Sequence, residues 1–209
     1  MNSDTTREQL RGMDSTAGYG AAAEALAEQY ESVTFAEVHR EVLHLFPARP
    51  SVVLDIGAGS GRDAAALAAR GHRVVAAEPT VELRLLGRRL HADQQITWTD
   101  DALPELPGLT AAESRFDLIL LTAVWMHLDE GQRASSMARL AGLLAPGGRI
   151  ILSLRHGPVP VGRRMFPVTA QETIDLARRH GLDVLHHARR EDPHNRPGVS
   201  WTYLGLRLP

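Results

Sequence analysis

The sequence predicts an α/β fold, a mostly parallel sheet sandwiched between layers of helices. Three observations predict it. Short runs of Val, Ile and Leu alternate along the chain with segments of helical period. The runs are apolar throughout instead of alternating with polar residues, which suits strands covered on both faces. Gly or Pro marks most of the junctions. The 209 residues fit one domain, or one domain with an added arm, and 44% hydrophobic with 23% charged residues is an ordinary globular composition.

Taken in order, residues 1–16 read as a loosely held leader. Ala21 to Phe46 has helical spacing with acids early and prolines at 47 and 50 to end it, and a break near Ser32–Thr34 divides it into two helices. A first strand is expected over Val52–Ile56, and an Ala-rich helix over Arg62–Arg70, closed by Gly71. Val74–Ala77, Gln95–Trp98 and Phe116–Leu121 read as the second to fourth strands, with a helix at Val81–Leu90. A helix over Asp129–Leu144 is expected to end at Ala145-Pro146-Gly147-Gly148, before a fifth strand over Arg149–Leu154. A helix over Ala170–His180 is closed by Gly181. Asp183–His187 and Trp201–Leu208 read as two further strands joined by a polar loop, Arg189–Gly198.

Composition narrows the chemistry. With no Cys there is no thiolate nucleophile, disulfide framework or Cys-bound metal. All 23 basic residues are Arg, which removes any Schiff-base or P-loop lysine; a GC-rich bacterial genome is the simplest cause. The net charge of -2 leaves no global basic footprint for a nucleic acid. No apolar run is long enough for a membrane span, and the polar start carries no secretory h-region, so a cytoplasmic location is expected. The ten His show no ligand pattern such as H-E-x-x-H, so no metal is expected.

The stretch VLDIGAGSGRDA, Val53 to Ala64, carries the function signal. A buried strand ends on Asp55, and Gly57, Gly59 and Gly61 follow at alternate positions. Ligands in open α/β sheets bind beyond the carboxyl ends of the strands. Glycines there allow positive φ and a close backbone approach, and the next helix offers unpaired N–H groups. A second acid, Glu78, lies 23 residues on, at the tip of the second strand, suited to the two hydroxyls of a ribose. Together these describe a nucleoside-containing cofactor. The spacing D-x-G-x-G-x-G differs from the dinucleotide pattern G-x-G-x-x-G.

VLDIGAGSGRDA and VVAAEPT, followed by ITWTDDALPEL, FDLILLTAVWMHL and LLAPGGRIILSL, resemble in order the motifs of class I S-adenosylmethionine-dependent methyltransferases, small-molecule branch. The resemblance covers roughly Ser51 to Leu154. It implies a Rossmann-like, doubly wound, seven-stranded and mostly parallel sheet with an antiparallel last strand and a helical N-terminal cap. The expected domains are a leader and cap over 1–48 and a methyltransferase domain over 49–209, with substrate-facing segments after Leu154. The implied cofactor is S-adenosyl-L-methionine, leaving S-adenosyl-L-homocysteine as product. The implied cofactor contacts are Asp55, Gly57, Ala58, Gly59, Gly61, Glu78, Pro79, Asp101 (Asp100 as the fallback), Ala102 and Thr122, with Ala123 beside the sulfonium. Taken singly, Asp55 also fits a cap, Glu78-Pro79-Thr80 a turn, and Asp100 and Asp101 a surface loop.

The acceptor side is read from position. His127, shortly after the fourth strand, is a base candidate and His156, after the fifth, a second; His127 also fits a structural or cofactor-contacting role. Tyr19 and Tyr30 on the arm are candidates to face the sulfonium, and Trp125 to line the pocket or fill the core. Arg155, Arg163 and Arg164 suit an acidic acceptor or a solvated loop, and His194 and Arg196 lie where the last loop reaches the same edge. The expected activity is methyl transfer to oxygen or nitrogen of a small, acidic or polar metabolite. The alternatives are an RNA methyltransferase acting on a tRNA-base carboxylate, and a cofactor-binding protein without transfer chemistry.

Overall fold

The computed structural model describes residues 16–109 and 115–209. Residues 1–15, most of the expected leader, lie outside the described residues. The sheet is seven-stranded: β1 Val52–Ile56, β2 Arg73–Ala77, β3 Ile96–Thr99, β4 Phe116–Leu121, β5 Leu144–His156, β6 Asp183–Glu191 and β7 Ser200–Arg207. Its order is β3-β2-β1-β4-β5-β7-β6. The first five strands pair in parallel, and β7 lies antiparallel to both β5 and β6. This is the doubly wound, mostly parallel sheet expected from the sequence. Because β7 reverses between them, β6 runs with β5, and its carboxyl end reaches the same edge as those of β1 to β5.

The helices are α1 Ala23–Glu31, α2 Phe35–Val38, α3 Arg62–Ala68, α4 Val81–Leu90, α5 Glu130–Leu143 and α6 Ala170–Arg179. The break at Ser32–Thr34 is present. Thr34 caps α2 in a reciprocal box, its side chain accepting from the Glu37 N–H while Glu37 accepts from the Thr34 N–H. The second expected N-terminal helix is only this one turn, followed by turns and a 3-10 segment at Leu43–Leu45. α1 packs on α4 and α2 on α3, so the N-terminal segment crosses the top of the first half of the sheet.

Two boundaries differ from expectation. β5 begins at Leu144, so the LAPGG stretch belongs to the strand. Leu144 pairs with Phe116, and Gly147 and Gly148 exchange backbone bonds with Leu208, which draws the turn into the ladder. β6 continues to Glu191 because Arg189, Arg190 and Glu191 pair with Thr202, Trp201 and Ser200. It is an edge strand with one exposed face, where charged residues are at home. The expected loop therefore shrinks to residues 192–199.

Asp55 sits within an otherwise apolar strand, flanked by Leu54 and Ile56, both fully buried. Strand order reverses between β1 and β4, the place where doubly wound sheets open a crevice. No helix among the described residues is long and apolar enough to cross a membrane.

Candidate active site

The crevice opens into a cavity of about 520 Å³. The ends of β1 to β5 floor it, residues between Tyr19 and Val38 roof it, and the 192–199 connection closes one side.

The glycine loop is fixed from below. The N–H groups of Gly57 and Ala58 both donate to the Ala77 carbonyl at the end of β2, at 2.8 and 3.2 Å. Gly57 has φ +66, and a Cβ there would lie 2.5 Å from a Val124 methyl, so only glycine fits this turn. Glu78 receives the Gly59 N–H on one oxygen and the Thr80 N–H on the other, each at 2.8 Å. Burial raises its pKa, and those two N–H groups oppose the rise. Its carboxylate is thus aimed by backbone before any ligand arrives.

Asp55 is 1% exposed, and its Oδ2 has no hydrogen-bond partner. Burial raises its pKa well above the ordinary value, and neighbouring Asp63 adds to the rise. Asp63 behaves oppositely. Burial alone would raise its pKa, but His39 and Arg62, both at 2.8 Å, more than offset this and hold it far below the usual range. Thr122, just past β4, donates to the same carboxylate at 2.8 Å. Asp101 accepts the N–H groups of Ala102 and Gly108, each at 3.0 Å, and burial raises its pKa. Pro79, Leu83 and Leu103 supply apolar walls near these acids.

Thr122 and Ala123 stand where this end meets the other. Ala123 has φ 60, uncommon for a residue with a Cβ, and its N–H donates to Ser153 Oγ at 2.9 Å.

Beyond them, His127 anchors the far end. Its Nδ1 lies 2.5 Å from the Arg164 carbonyl, which can only accept, so Nδ1 carries the proton. Nε2 is then an acceptor, and the Tyr19 hydroxyl donates to it at 2.9 Å. Burial lowers the His127 pKa; the Arg164 carbonyl opposes this, and the charges of Arg163, Arg164 and Arg155 reinforce it. The Arg163 guanidinium lies 3.8 Å over the Tyr19 ring. Arg155, His194 and Arg196 complete this end with Trp201 and Tyr203.

The structure brings together Asp55, Gly57, Ala58, Gly59, Glu78, Pro79, Asp101, Ala102, Thr122, Tyr19, Tyr30, His127, Arg155, Arg163 and His194 around this one cavity. Five candidates do not line the cavity; for Trp125 the core alternative holds, and for the fallback Asp100 the surface-loop one. Gly61 does not line the cavity: at φ +88 it makes room for the Trp98 ring, 2.7 Å from where a Cβ would stand. Trp125 is fully buried in the hydrophobic core. Arg164 turns inward to Gln132 and Asp129, fastening the start of α5. His156 is bonded to Thr202 Oγ1 at 2.8 Å, away from the cavity. Asp100 pairs with Arg84 at the surface, at 3.0 Å. Sequence reasoning missed Asp63 and His39. Asp63 stands two residues after Gly61, in the first turn of α3, a position its sequence context makes findable; nothing in the sequence links His39 to it.

A glycine turn at the switch point, with carboxylates on the tips of successive strands, defines a class: doubly wound proteins that hold a nucleoside derivative. Comparison with known proteins narrows it. A family model described as "Methyltransferase domain" matches residues 53–148. The chain is 32% identical over 122 residues to demethylmenaquinone methyltransferase of Clavibacter sepedonicus, covering 57% of this chain and 48% of that protein. It is 29% identical over 135 residues to an uncharacterized methyltransferase of Geobacillus kaustophilus, covering 65% and 60%. It thus spans about half to three fifths of the length of these relatives. Among solved structures, it shares its fold with the 1,6-didemethyltoxoflavin N1-methyltransferase of Burkholderia thailandensis, bound to 1,6-didemethyltoxoflavin and S-adenosylhomocysteine. That match has TM-score 0.71 and 23% identity, covering 100% of this chain and 91% of the other. The magnesium protoporphyrin IX methyltransferase of Synechocystis PCC 6803, with bound S-adenosylmethionine, shares the fold at TM-score 0.64 and 15% identity, covering 100% and 92%. Residues 53–148 thus match a methyltransferase domain, and the relatives they resemble are named methyltransferases.

Proposed function

We infer that this chain moves a methyl group from S-adenosylmethionine to an oxygen or nitrogen of a small molecule. The observation that carries the reading is the aimed set of acids at the strand tips: Glu78 locked by two backbone N–H groups, and Asp55 with an unpartnered oxygen beside it. A buried carboxyl oxygen without a partner is costly, and a ligand ammonium would satisfy it. Glu78 suits the ribose hydroxyls, and Asp101 with Leu103 suits the adenine. The cofactor would supply a methyl already activated on a sulfonium.

The chain's own residues then do three things. They align the acceptor in line with the methyl, a positioning effect of large catalytic value. They exclude water, with Tyr19 and Tyr30 in the roof. They remove a proton where the acceptor carries one: it passes to the Tyr19 oxygen as the Tyr19 proton passes to the neutral Nε2 of His127. The domain division proposed with it makes residues 16–48 the roof and 49–209 the catalytic body.

Calorimetry with S-adenosylmethionine, S-adenosylhomocysteine and NAD tests the reading. Binding of the first two, weakened by Glu78→Ala, is expected. Preference for NAD, or no binding, would overturn it.

A further inference from the structure

The two ends of the cavity carry opposite charge. Among the described residues, every carboxylate that lines it stands at the β1 to β3 end: Asp55, Asp63, Glu78 and Asp101. The lining arginines beyond Thr122 and Ala123 are Arg155, Arg163 and Arg196. Arg196 is matched, since both oxygens of Asp192 accept from its guanidinium, at 2.6 and 2.9 Å. Asp192 is also held by the Trp201 indole N–H at 2.8 Å, so it is already committed.

Arg155 and Arg163 are different. Neither makes an ion pair among the described residues. Each is held by neutral groups instead: Arg155 donates to the Pro158 carbonyl at 2.8 Å, and Arg163 donates to the Ala17 carbonyl at 3.3 Å while stacking on Tyr19. Carbonyls fix the direction of a guanidinium without cancelling its charge. Burial lowers the Arg155 pKa and the Arg196 charge reinforces this, while Asp192 opposes it from a distance without pairing with Arg155. Two positioned guanidiniums facing one cavity are the usual receptor for a planar or tetrahedral oxyanion, bound through parallel charge-assisted hydrogen bonds.

We propose that the methyl acceptor carries an oxyanion, a carboxylate or a phosphate, and that Arg155 and Arg163 hold it. The proposal rests on the methyltransferase reading of the same cavity. It deepens that reading by naming the chemical class of the substrate and the two residues that select it. The oxyanion is a handle: it fixes the acceptor against the arginine end and leaves the opposite end of the molecule toward Thr122 and Ala123. A neutral acceptor would leave both half-buried guanidiniums without a charged partner, which favours the anionic substrate over it.

Calorimetry on the full chain tests this with defined probes, run both with and without saturating S-adenosylhomocysteine. Phenyl phosphate and benzoate are the two anionic arms; benzamide and benzyl alcohol are the neutral ones. At least one anion is expected to bind about tenfold or more tighter than either neutral probe, and which anion wins distinguishes phosphate from carboxylate. Arg155→Gln and Arg163→Gln are each expected to weaken the anion about tenfold, with S-adenosylhomocysteine affinity within about twofold of wild type. Because Arg163 also steadies Tyr19, Arg155→Gln is the deciding variant. Salt dependence of the wild type needs no variant, and anion binding should weaken steeply between about 50 and 500 mM salt. Neutral probes binding as tightly as anions, no anion binding, or unchanged anion affinity in Arg155→Gln would overturn the proposal. Anion binding without S-adenosylhomocysteine binding would instead overturn the methyltransferase reading and leave the oxyanion site standing.

Discussion

The two ends of the cavity are built by different means. At the β1 to β3 end, backbone does the holding: Gly57, Ala58, Gly59, Thr80, Ala102 and Gly108 all spend N–H groups on fixing the loop or aiming an acid. At the other end, side chains from distant parts of the chain hold one another. Tyr19 meets His127 across 108 residues, and Arg163 reaches the Ala17 carbonyl across 146. A site aimed by backbone keeps its shape through changes in neighbouring side chains, whereas one assembled from side chains can be reshaped one residue at a time. That difference suits a shared cofactor at one end and a variable acceptor at the other.

Substitutions can break or sharpen this contrast. The largest effect is expected from Trp125→Ala, which empties a fully buried site in the core. It should cost about 3–5 kcal/mol of stability, read by denaturant unfolding. Failing this, with unchanged stability and altered acceptor affinity, would return Trp125 to the acceptor end. Next comes Glu78→Ala. Removing a charged acceptor of several hydrogen bonds should weaken S-adenosylhomocysteine on the order of 100-fold, and loss of anion binding instead would erase the distinction between the ends.

Asp55→Asn is expected to cost about tenfold in cofactor affinity, and its pH signature is sharper. In the free protein the raised pKa keeps Asp55 protonated above the ordinary carboxyl range. A ligand ammonium favours the ionised form, so binding releases a proton and tightens as pH rises through that titration. Calorimetry in buffers of different ionisation enthalpy should show the release in wild type and not in Asp55→Asn. The stability sign runs the other way. A raised folded pKa contributes stability below the unfolded value that is lost as pH rises, so the variant should lose less stability than wild type on going to alkaline pH. The smallest effect belongs to His156→Ala. Its Thr202 partner lies away from the cavity, and turnover within about twofold of wild type is expected, as for surface changes generally. A pH-rate profile that loses its acid limb in this variant would make His156 the base and displace His127.

The legibility of the sequence follows the same division. The strands of the first half, the glycine turn, Asp55, Glu78 and Asp101 could all be read, because each is specified within a few residues of itself. Gly61 was misread by the same logic: its positive φ was foreseeable, but the Trp98 ring it accommodates comes from another strand. The arginine end resisted more. Arg163 and Arg164 are adjacent in sequence, yet one stacks on Tyr19 in the cavity and the other turns in to Gln132. Only the tertiary fold separates them. The length of β6 was missed because HARRE has no apolar pattern; its pairing to β7 is supplied by backbone. His39 beside Asp63 joins the cap to the glycine loop, and no local pattern announces such a contact.

The most direct test is a crystal structure of the protein with S-adenosylhomocysteine. The account predicts adenine beside Asp101 and Leu103, ribose hydroxyls on Glu78, the amino group at the open Oδ2 of Asp55, and the sulfur between Thr122 and Tyr19. A nucleoside lying against Arg155 and Arg163, with the acids at the strand tips untouched, would contradict it.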